Sequence, residues 1–245
     1  MDHVFAVAVR AMKDAQDEMQ QVVPQPRFVT SEVGHRGHRF VEQLPQQALL
    51  LKAVRILSAI HTLKLTIDAG LLLDAGASMR ILDEIGSEVQ FLAAPYLTNA
   101  GREAIHDEFL TEFFQEEFDH SDVLKSSQKR HRVSRKKIRA YVVRAYRQED
   151  ASTHTDVLRL IDNTFSGFVH GAAAHIMDTY DGKRFSVPAP GDHASLLDFR
   201  DQFSIYLHRA LMDFAFAAKA LGCEAIFARL YQFITTTFAD EGSVR

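Results

Sequence analysis

Histidine, arginine and glutamate carry most of the chemistry this sequence offers. Three Glu-x-x-His words occur: Glu32/His35, Glu103/His106 and Glu117/His120. On a helix such a word sets a carboxylate and an imidazole on one turn, as in carboxylate-rich di-metal bundles. Those bundles also need a matching word and further glutamates on other helices. Here the second and third words fall on one expected helix and the first falls in a Gly/Pro-rich loop. A carboxylate/histidine metal site is therefore a minor alternative, and no metal ligand or cofactor is assigned. The chain has no Gly-rich phosphate loop, no Gly-x-Ser-x-Gly elbow and no His-Glu-x-x-His word. Its lone cysteine, Cys223, follows Gly222 and reads as a structural thiol. One cysteine excludes an intrachain disulfide framework and a multi-cysteine zinc site.

Two stretches single out further candidates. In 156–180, DVLRLIDNTFSGFVHGAAAHIMDTY, the residues Leu158, Ile161, Phe165, Phe168, Ala172 and Ile176 recur at steps of three and four. They share one helical face. Asn163, Ser166, Gly167, His170 and Ala174 share another, which is small and polar. Gly167 and Gly171 each cost roughly 1 kcal/mol relative to alanine in a helix, a cost that close approach of a second backbone or a ligand would offset. His170 lies in this stripe, and an imidazole changes charge near neutral pH. The second stretch, 129–147, has nine lysines and arginines in nineteen residues, with Ile138, Tyr141, Val142 and Ala145 as an apolar seam. Arg132, Arg135, Lys136 and Arg139 are its candidates for contacting RNA phosphates.

The elements that must position these groups read as helices. Residues 2–20 form a modestly amphipathic first helix, ended by Pro24 and Pro26. Residues 24–45 read as a loop or arm, locally basic at His35, Arg36, His38 and Arg39. Residues 46–69 form a long helix with Leu51, Val54, Ile60, Leu63 and Ile67 as its stripe. Residues 77–94 follow, with Met79, Leu82, Ile85, Val89 and Leu92 inward and Pro95 as the stop. On that helix Arg80 and Glu84 are four apart and therefore adjacent. Residues 99–120 read as an acidic helix with Phe109, Phe113 and Phe114 packing inward, paired antiparallel with the basic one. After the 156–180 helix and an ordered loop over 181–192 come helices 194–221 and 224–238. The first of these has Leu197, Phe203, Leu207, Leu211, Phe214 and Ala218 on its apolar face, with Gly222 as its stop. No alternating strand pattern is visible. The expectation is an all-α protein: a single compact bundle of about seven helices over 46–240, preceded by an N-terminal helix and loop arm over 1–45. The chain has 245 residues, 47% apolar and 24% charged, with a net charge of −4. That is the composition of an ordinary globular protein. No apolar run reaches the ~18 residues of a membrane span, and the start reads as an amphipathic helix, so a cytoplasmic protein without membrane contact is expected.

The stretches Met79–Ala93 and Leu158–Gly171 resemble a family of uncharacterised bacterial all-helical proteins. Its members show an arginine followed four residues later by a glutamate on one helix, and a Ser-x-x-Val-His-Gly/Pro word on another. Arg80 and Glu84 match the first; Ser166, Val169, His170 and Gly171 match the second. The resemblance implies a bundle in which Arg80, Glu84 and His170 meet, and no established reaction; Asn163 and Ser166, on the small polar stripe with His170, join them as candidates for the network. Such a network needs mutual hydrogen bonds to offset desolvation. It either fixes helix register or lines a ligand pocket. A more distant resemblance is to the HEPN superfamily, whose ribonuclease site is an arginine followed after four to six residues by a histidine. Arg55/His61 and Arg147/His154 fit that spacing. The first pair diverges within a helix, whereas the second spans an expected helix end. This resemblance implies an RNA endonuclease or toxin-type protein with Arg147 and His154 as catalytic groups. Two readings follow: a helical binding or interaction protein, homodimeric, built on the polar network, or an RNA-acting enzyme using the basic helix.

Overall fold

Two long helices, α2 (Pro45–Asp68) and α3 (Leu72–Leu97), form the pair on which the other elements are laid. The computed structural model describes residues 1–31, 33–34, 36–127, 132–146 and 165–245. Proline opens α2 at a position where its missing N–H has no helical partner to lose. Buried Gln47 then accepts from the Leu44 N–H at 2.9 Å and donates to Glu42 at 2.9 Å. Leu49, Leu50, Ala53, Ile56, Ala59, Ile60, Leu63 and Ile67 are buried, whereas Leu51 and Val54 face solvent. The expected stripe is thus correct in its second half and displaced in its first. α2 is apolar over much of its circumference, so periodicity alone does not choose the face. Gly70 ends α2 at φ +70°. Its carbonyl accepts from Ala189 N–H at 2.8 Å, and a Cβ there would stand 2.7 Å from the Ala189 oxygen. The 181–192 loop is sealed onto this turn.

α3 does not stop at Pro95 but continues to Leu97. The proline deprives the Phe91 carbonyl of its helical donor. Buried His106 stacks on the Phe91 ring at 4.2 Å and turns Nε2 toward that carbonyl, short of full hydrogen-bond geometry. Its Nδ1 accepts from Glu103 N–H at 3.0 Å, at the start of α4 (Ala104–Phe114). α4 is much shorter than the expected 99–120 helix; a short 3-10 turn, Val123–Lys125, follows it. α5 (Arg135–Ala145) is capped by Ser134 and buries Ile138, Tyr141, Val142 and Ala145, the expected seam, against α3. The acid–base helix pair is replaced by a basic helix laid on α3.

Residues 165–170 are helical, but Gly171 takes φ +62° and turns the chain into a separate short helix, α6 (Ala173–Met177). The described part of the 156–180 stretch is therefore not one continuous helix, and Ile176 is exposed. Its glycine logic survives. A Cβ on Gly167 would stand 2.1 Å from the His175 ring, and one on Gly76 of α3 would stand 2.5 Å from Phe168. α7 (Ala194–Ala220) crosses α2 and α3, with Leu196 rather than Leu197 in the core. At its end Gly222 has φ +76°, and the N–H groups of Gly222 and Cys223 return to Lys219 and Ala218. α8 (Glu224–Thr237) packs on α7 and α1. α1 (Asp2–Gln21) forms where the first helix is expected and packs against α2, α7 and α8 through Ala8, Met12, Ala15 and Met19. Within 24–45 lies a hairpin, β1 (Arg27–Thr30) and β2 (Arg36–Arg39), antiparallel from Arg27↔Arg39 to Thr30↔Arg36. Four-residue strands are too short to show the alternation that would reveal them.

The fold is predominantly all-α. The described residues hold eight α-helices, the helical segment 165–170, the 3-10 turn and the two-stranded sheet, around one contiguous core from Ala8 to Phe238. Among them no helix is long and apolar enough to cross a membrane.

Candidate functional site

α3 distributes its polar side chains to two neighbours. Residues 80, 84 and 88 recur every four positions on one stripe, and 83, 86 and 90 on another. On the first stripe Arg80 Nη2 meets Glu84 Oε1 at 2.7 Å, with the arginine side chain only 12% exposed. The second carboxylate oxygen of Glu84 pairs with Arg135 of α5, and Glu88 pairs with Lys52 of α2. Burial pulls the Arg80 pKa down, and Glu84 opposes that pull. Arg80 and Glu84 are thus together as expected, but the third member is Arg135. His170 is exposed at the end of the 165–170 helical segment and Ser166 is half-buried; neither enters this network. Asn163, Arg147 and His154 lie outside the described residues.

On the second stripe Asp83 accepts from Tyr206 OH at 3.1 Å and pairs with Arg209 at 2.7 Å, both from α7. One helical turn further along, Asp213 is buried against Gly86 and hydrogen-bonded to the Gln90 side chain. A Cβ on Gly86 would stand 2.6 Å from Asp213 Oδ2, so the glycine makes the notch that holds the carboxyl. Burial pushes Asp213 up to about 7 and raises Asp83, while Arg209 pulls both back. Burial also disfavours the Arg209 charge, yet Asp83, Tyr206 and Asp213 together hold its pKa above the ordinary guanidinium value. Two carboxyl groups face one guanidinium here, and burial favours the protonated form of the deeper one, Asp213. Sequence reasoning missed this cluster. The signal was present in Asp213, a charged residue on the apolar stripe Leu207, Leu211, Phe214, Ala218, since unpaired carboxylates are almost never fully buried.

The α5 end of the first stripe opens into a cleft of about 550 Å³ between α2, α3, α4 and α5. Lys52, Glu88, Phe109, Glu112, Phe113, Arg132, Val133, Ser134, Arg135 and Ile138 line it. Lys52 lies 4.4 Å above the Phe113 ring and is held by Glu88. Arg135 is held by Glu84. Glu112 accepts from the Val133 N–H at 2.5 Å and makes no ion pair among the described residues. Arg132 is exposed and likewise makes none. Lys136 and Lys137 are exposed on the first turn of α5, and Arg139 is half-buried with a partner of its own.

Two of the three Glu-x-x-His words fall on described residues. His106 accepts from Glu103 N–H through Nδ1 and is buried, its Nε2 turned toward the Phe91 carbonyl without a full hydrogen bond. His120 Nδ1 accepts from Asp122 N–H at 2.9 Å. Glu32 and His35 lie outside the described residues. Among the described residues no three His, Cys, Asp or Glu side chains form a metal-holding group. The chain matches no protein-family profile, no curated protein and no solved structure.

Proposed function

We propose that this protein is a binding module for a phosphate-bearing ligand, seated in the cleft between α2, α3, α4 and α5. The observation that carries the reading is Arg132. It is a cation without an ion-pair partner among the described residues, on a cleft whose other cations, Lys52 and Arg135, are already held by Glu88 and Glu84. Arginine presents a fork of N–H donors that matches phosphate oxygens. Ser134, Lys136 and Lys137 continue the same first turn and add donors and positive potential. The Arg80–Glu84–Arg135 ladder then serves to fix the start of α5 on α3, three residues beyond Arg132. Calorimetric titration with inorganic pyrophosphate tests the reading. The unaltered chain is expected to bind, and Arg132→Ala to weaken binding at least about tenfold, the loss of one charge-assisted contact. Equal binding by both proteins would sink it.

A second reading, an RNA-acting enzyme of the HEPN type, is favoured by one feature. The Arg147/His154 word follows directly on α5, whose Lys136 and Lys137 are exposed and without ion pairs among the described residues. On this reading those lysines track the RNA backbone and His154 acts on the 2′-hydroxyl or the leaving oxygen. It predicts RNA cleavage by the unaltered chain that His154→Ala abolishes; the same background rate from both proteins would end it.

A further inference from the structure

A second hollow, of about 580 Å³, lies between the β1–β2 hairpin and the segment 115–119 that follows α4. It shares no lining residue with the α2–α5 cleft. The hairpin register accounts for its opening. Arg27 pairs with Arg39 and Val29 with Gly37, and residues paired across two strands share a face. Opposite Val29 that face therefore carries no side chain. Arg39 lies across Gly37, where a Cβ would stand 3.0 Å from Nη1. It reaches Glu116 at two points, Nε to Oε1 at 2.6 Å and Nη2 to Oε2 at 3.1 Å. This pair ties the hairpin to the 115–119 segment and so holds the two walls of the hollow together. Val29, Val33, Phe40, Val41 and Phe118 give it an apolar lining. Phe40 is packed on the core, whereas Val29, Val33 and Phe118 are half-buried outside it.

We propose that this hollow binds an uncharged, mainly apolar small molecule. Its volume lies within the range of roughly 300–1,000 Å³ typical of small-molecule sites, which are apolar with a few polar groups for orientation. The charge of the ligand follows from the charged residues of the lining, Arg39, Glu116 and Asp119. Each is already answered by this chain. Arg39 and Glu116 meet at two points, the strong form of an arginine–carboxylate contact, and Arg39 Nη1 donates to the His38 carbonyl at 3.0 Å. Asp119 accepts from Ser126 Oγ at 2.7 Å and from the Ser127 N–H at 2.9 Å, and from the Ser127 hydroxyl through its other oxygen. A ligand anion would have to displace Glu116 from Arg39, and a ligand cation would have to draw Asp119 from its serines. Bringing in a charge that finds no partner costs far more than bringing in a neutral group. The other polar residues of the lining, Thr30, Ser31, Gln43 and Gln115, are uncharged. They suit a single hydroxyl or carbonyl on an otherwise apolar body.

This site stands apart from the phosphate reading and does not depend on it. The test titrates the full chain with N-phenyl-1-naphthylamine, an uncharged dye that brightens in apolar surroundings, and with 8-anilinonaphthalene-1-sulfonate, the same skeleton carrying a sulfonate. The neutral dye is expected to bind saturably, at least about tenfold more tightly than the sulfonate. Phenyltrimethylammonium and its uncharged isostere tert-butylbenzene serve as competitors, and the isostere is expected to displace the dye at the lower concentration. Inorganic pyrophosphate is expected not to displace it. Val29→Asp sets a carboxylate on the inner face of the hairpin and is expected to weaken the neutral dye about tenfold or more. Phe118→Ala, on the other wall, is expected to act in the same direction. Tighter binding of the sulfonate, or readier displacement by the ammonium competitor, overturns the assignment of a neutral ligand. Unchanged dye binding by both variants, displacement by pyrophosphate, or no saturable binding of the neutral dye overturns the assignment of the site. The comparison of probes of different charge needs no variant, so it decides the ligand class even if Val29→Asp disturbs the hairpin.

Discussion

Asp213 is only 6% exposed on the core side of α7, and burial holds its carboxyl up near 7. An aspartate in the unfolded chain loses its proton near pH 4. Between those values the folded protein keeps a proton that the unfolded one has released. The raised carboxyl therefore stabilises the fold at low pH, and that contribution is lost as pH rises through the window up to about 7. His106 works in the opposite sense: burial lowers its pKa, so stability falls as pH drops below the ordinary histidine value. Asp213→Asn removes the first effect alone. From pH 5 to pH 8 the unaltered chain is expected to lose roughly 2–3 kcal/mol relative to Asp213→Asn, in chemical denaturation followed at both pH values. Parallel pH profiles for the two proteins would show that Asp213 is not the proton-bearing carboxyl. Little of this was legible in the sequence. Arg80 and Glu84 announced themselves by their spacing. Asp83 and Asp213 did not, because their partners Arg209, Tyr206 and Gln90 become neighbours only once α3 and α7 cross. Glu112 read as one more charge on an acidic face, and its role depends on a backbone N–H twenty-one residues away at Val133.

α3 is the element that joins the two polar clusters, and Gly86 is where it leaves room for the Asp213 carboxyl of α7. Replacing a helix-interior glycine by alanine gains roughly 1 kcal/mol in propensity. Here the new methyl would meet the Asp213 carboxyl, and overpacking of this kind costs about 1–3 kcal/mol. Gly86→Ala is expected to be destabilising on its own. In an Asp213→Ala background, which empties the notch, it is expected to be neutral or stabilising. A double-mutant cycle by thermal or urea unfolding reads the difference directly, and additive effects would contradict the contact. The boundaries of these elements show what a single sequence can and cannot display. The seam of α5 and the stop at Gly222 were legible because each is a local signal, a periodic stripe or a left-handed cap. Pro95 misled because the Phe91 carbonyl it frees is met by His106, a residue from another helix. The hairpin was hidden by its short strands, and the break at Gly171 by a period that continues through the glycine.

The candidate site is assembled from four successive helices, whose lining residues lie far apart in the sequence. Lys52 comes from α2, Glu88 from α3, Glu112 from α4, Arg135 from the start of α5 and Arg132 from the segment just before it. The all-α class was visible in the sequence because it is the sum of many local patterns. The cleft was not, because it is the space left where those helices diverge. The basic stretch 129–147 pointed to anion binding from composition alone. Among its described residues Arg135 and Arg144 are taken up by Glu84 and Glu103, which leaves Arg132, Lys136 and Lys137 as the described cations the proposed phosphate contact relies on. The most direct test of the account locates the ligand as well as detecting it: a two-dimensional ¹⁵N NMR titration of the full chain with inorganic pyrophosphate. Saturable shifts are predicted at the backbone amides of Arg132–Ile138 and at Glu112, with the far side of the bundle, α1 and α8, unmoved. Shifts concentrated outside this cleft, or none at millimolar pyrophosphate, would contradict the assignment of the cleft as the binding site.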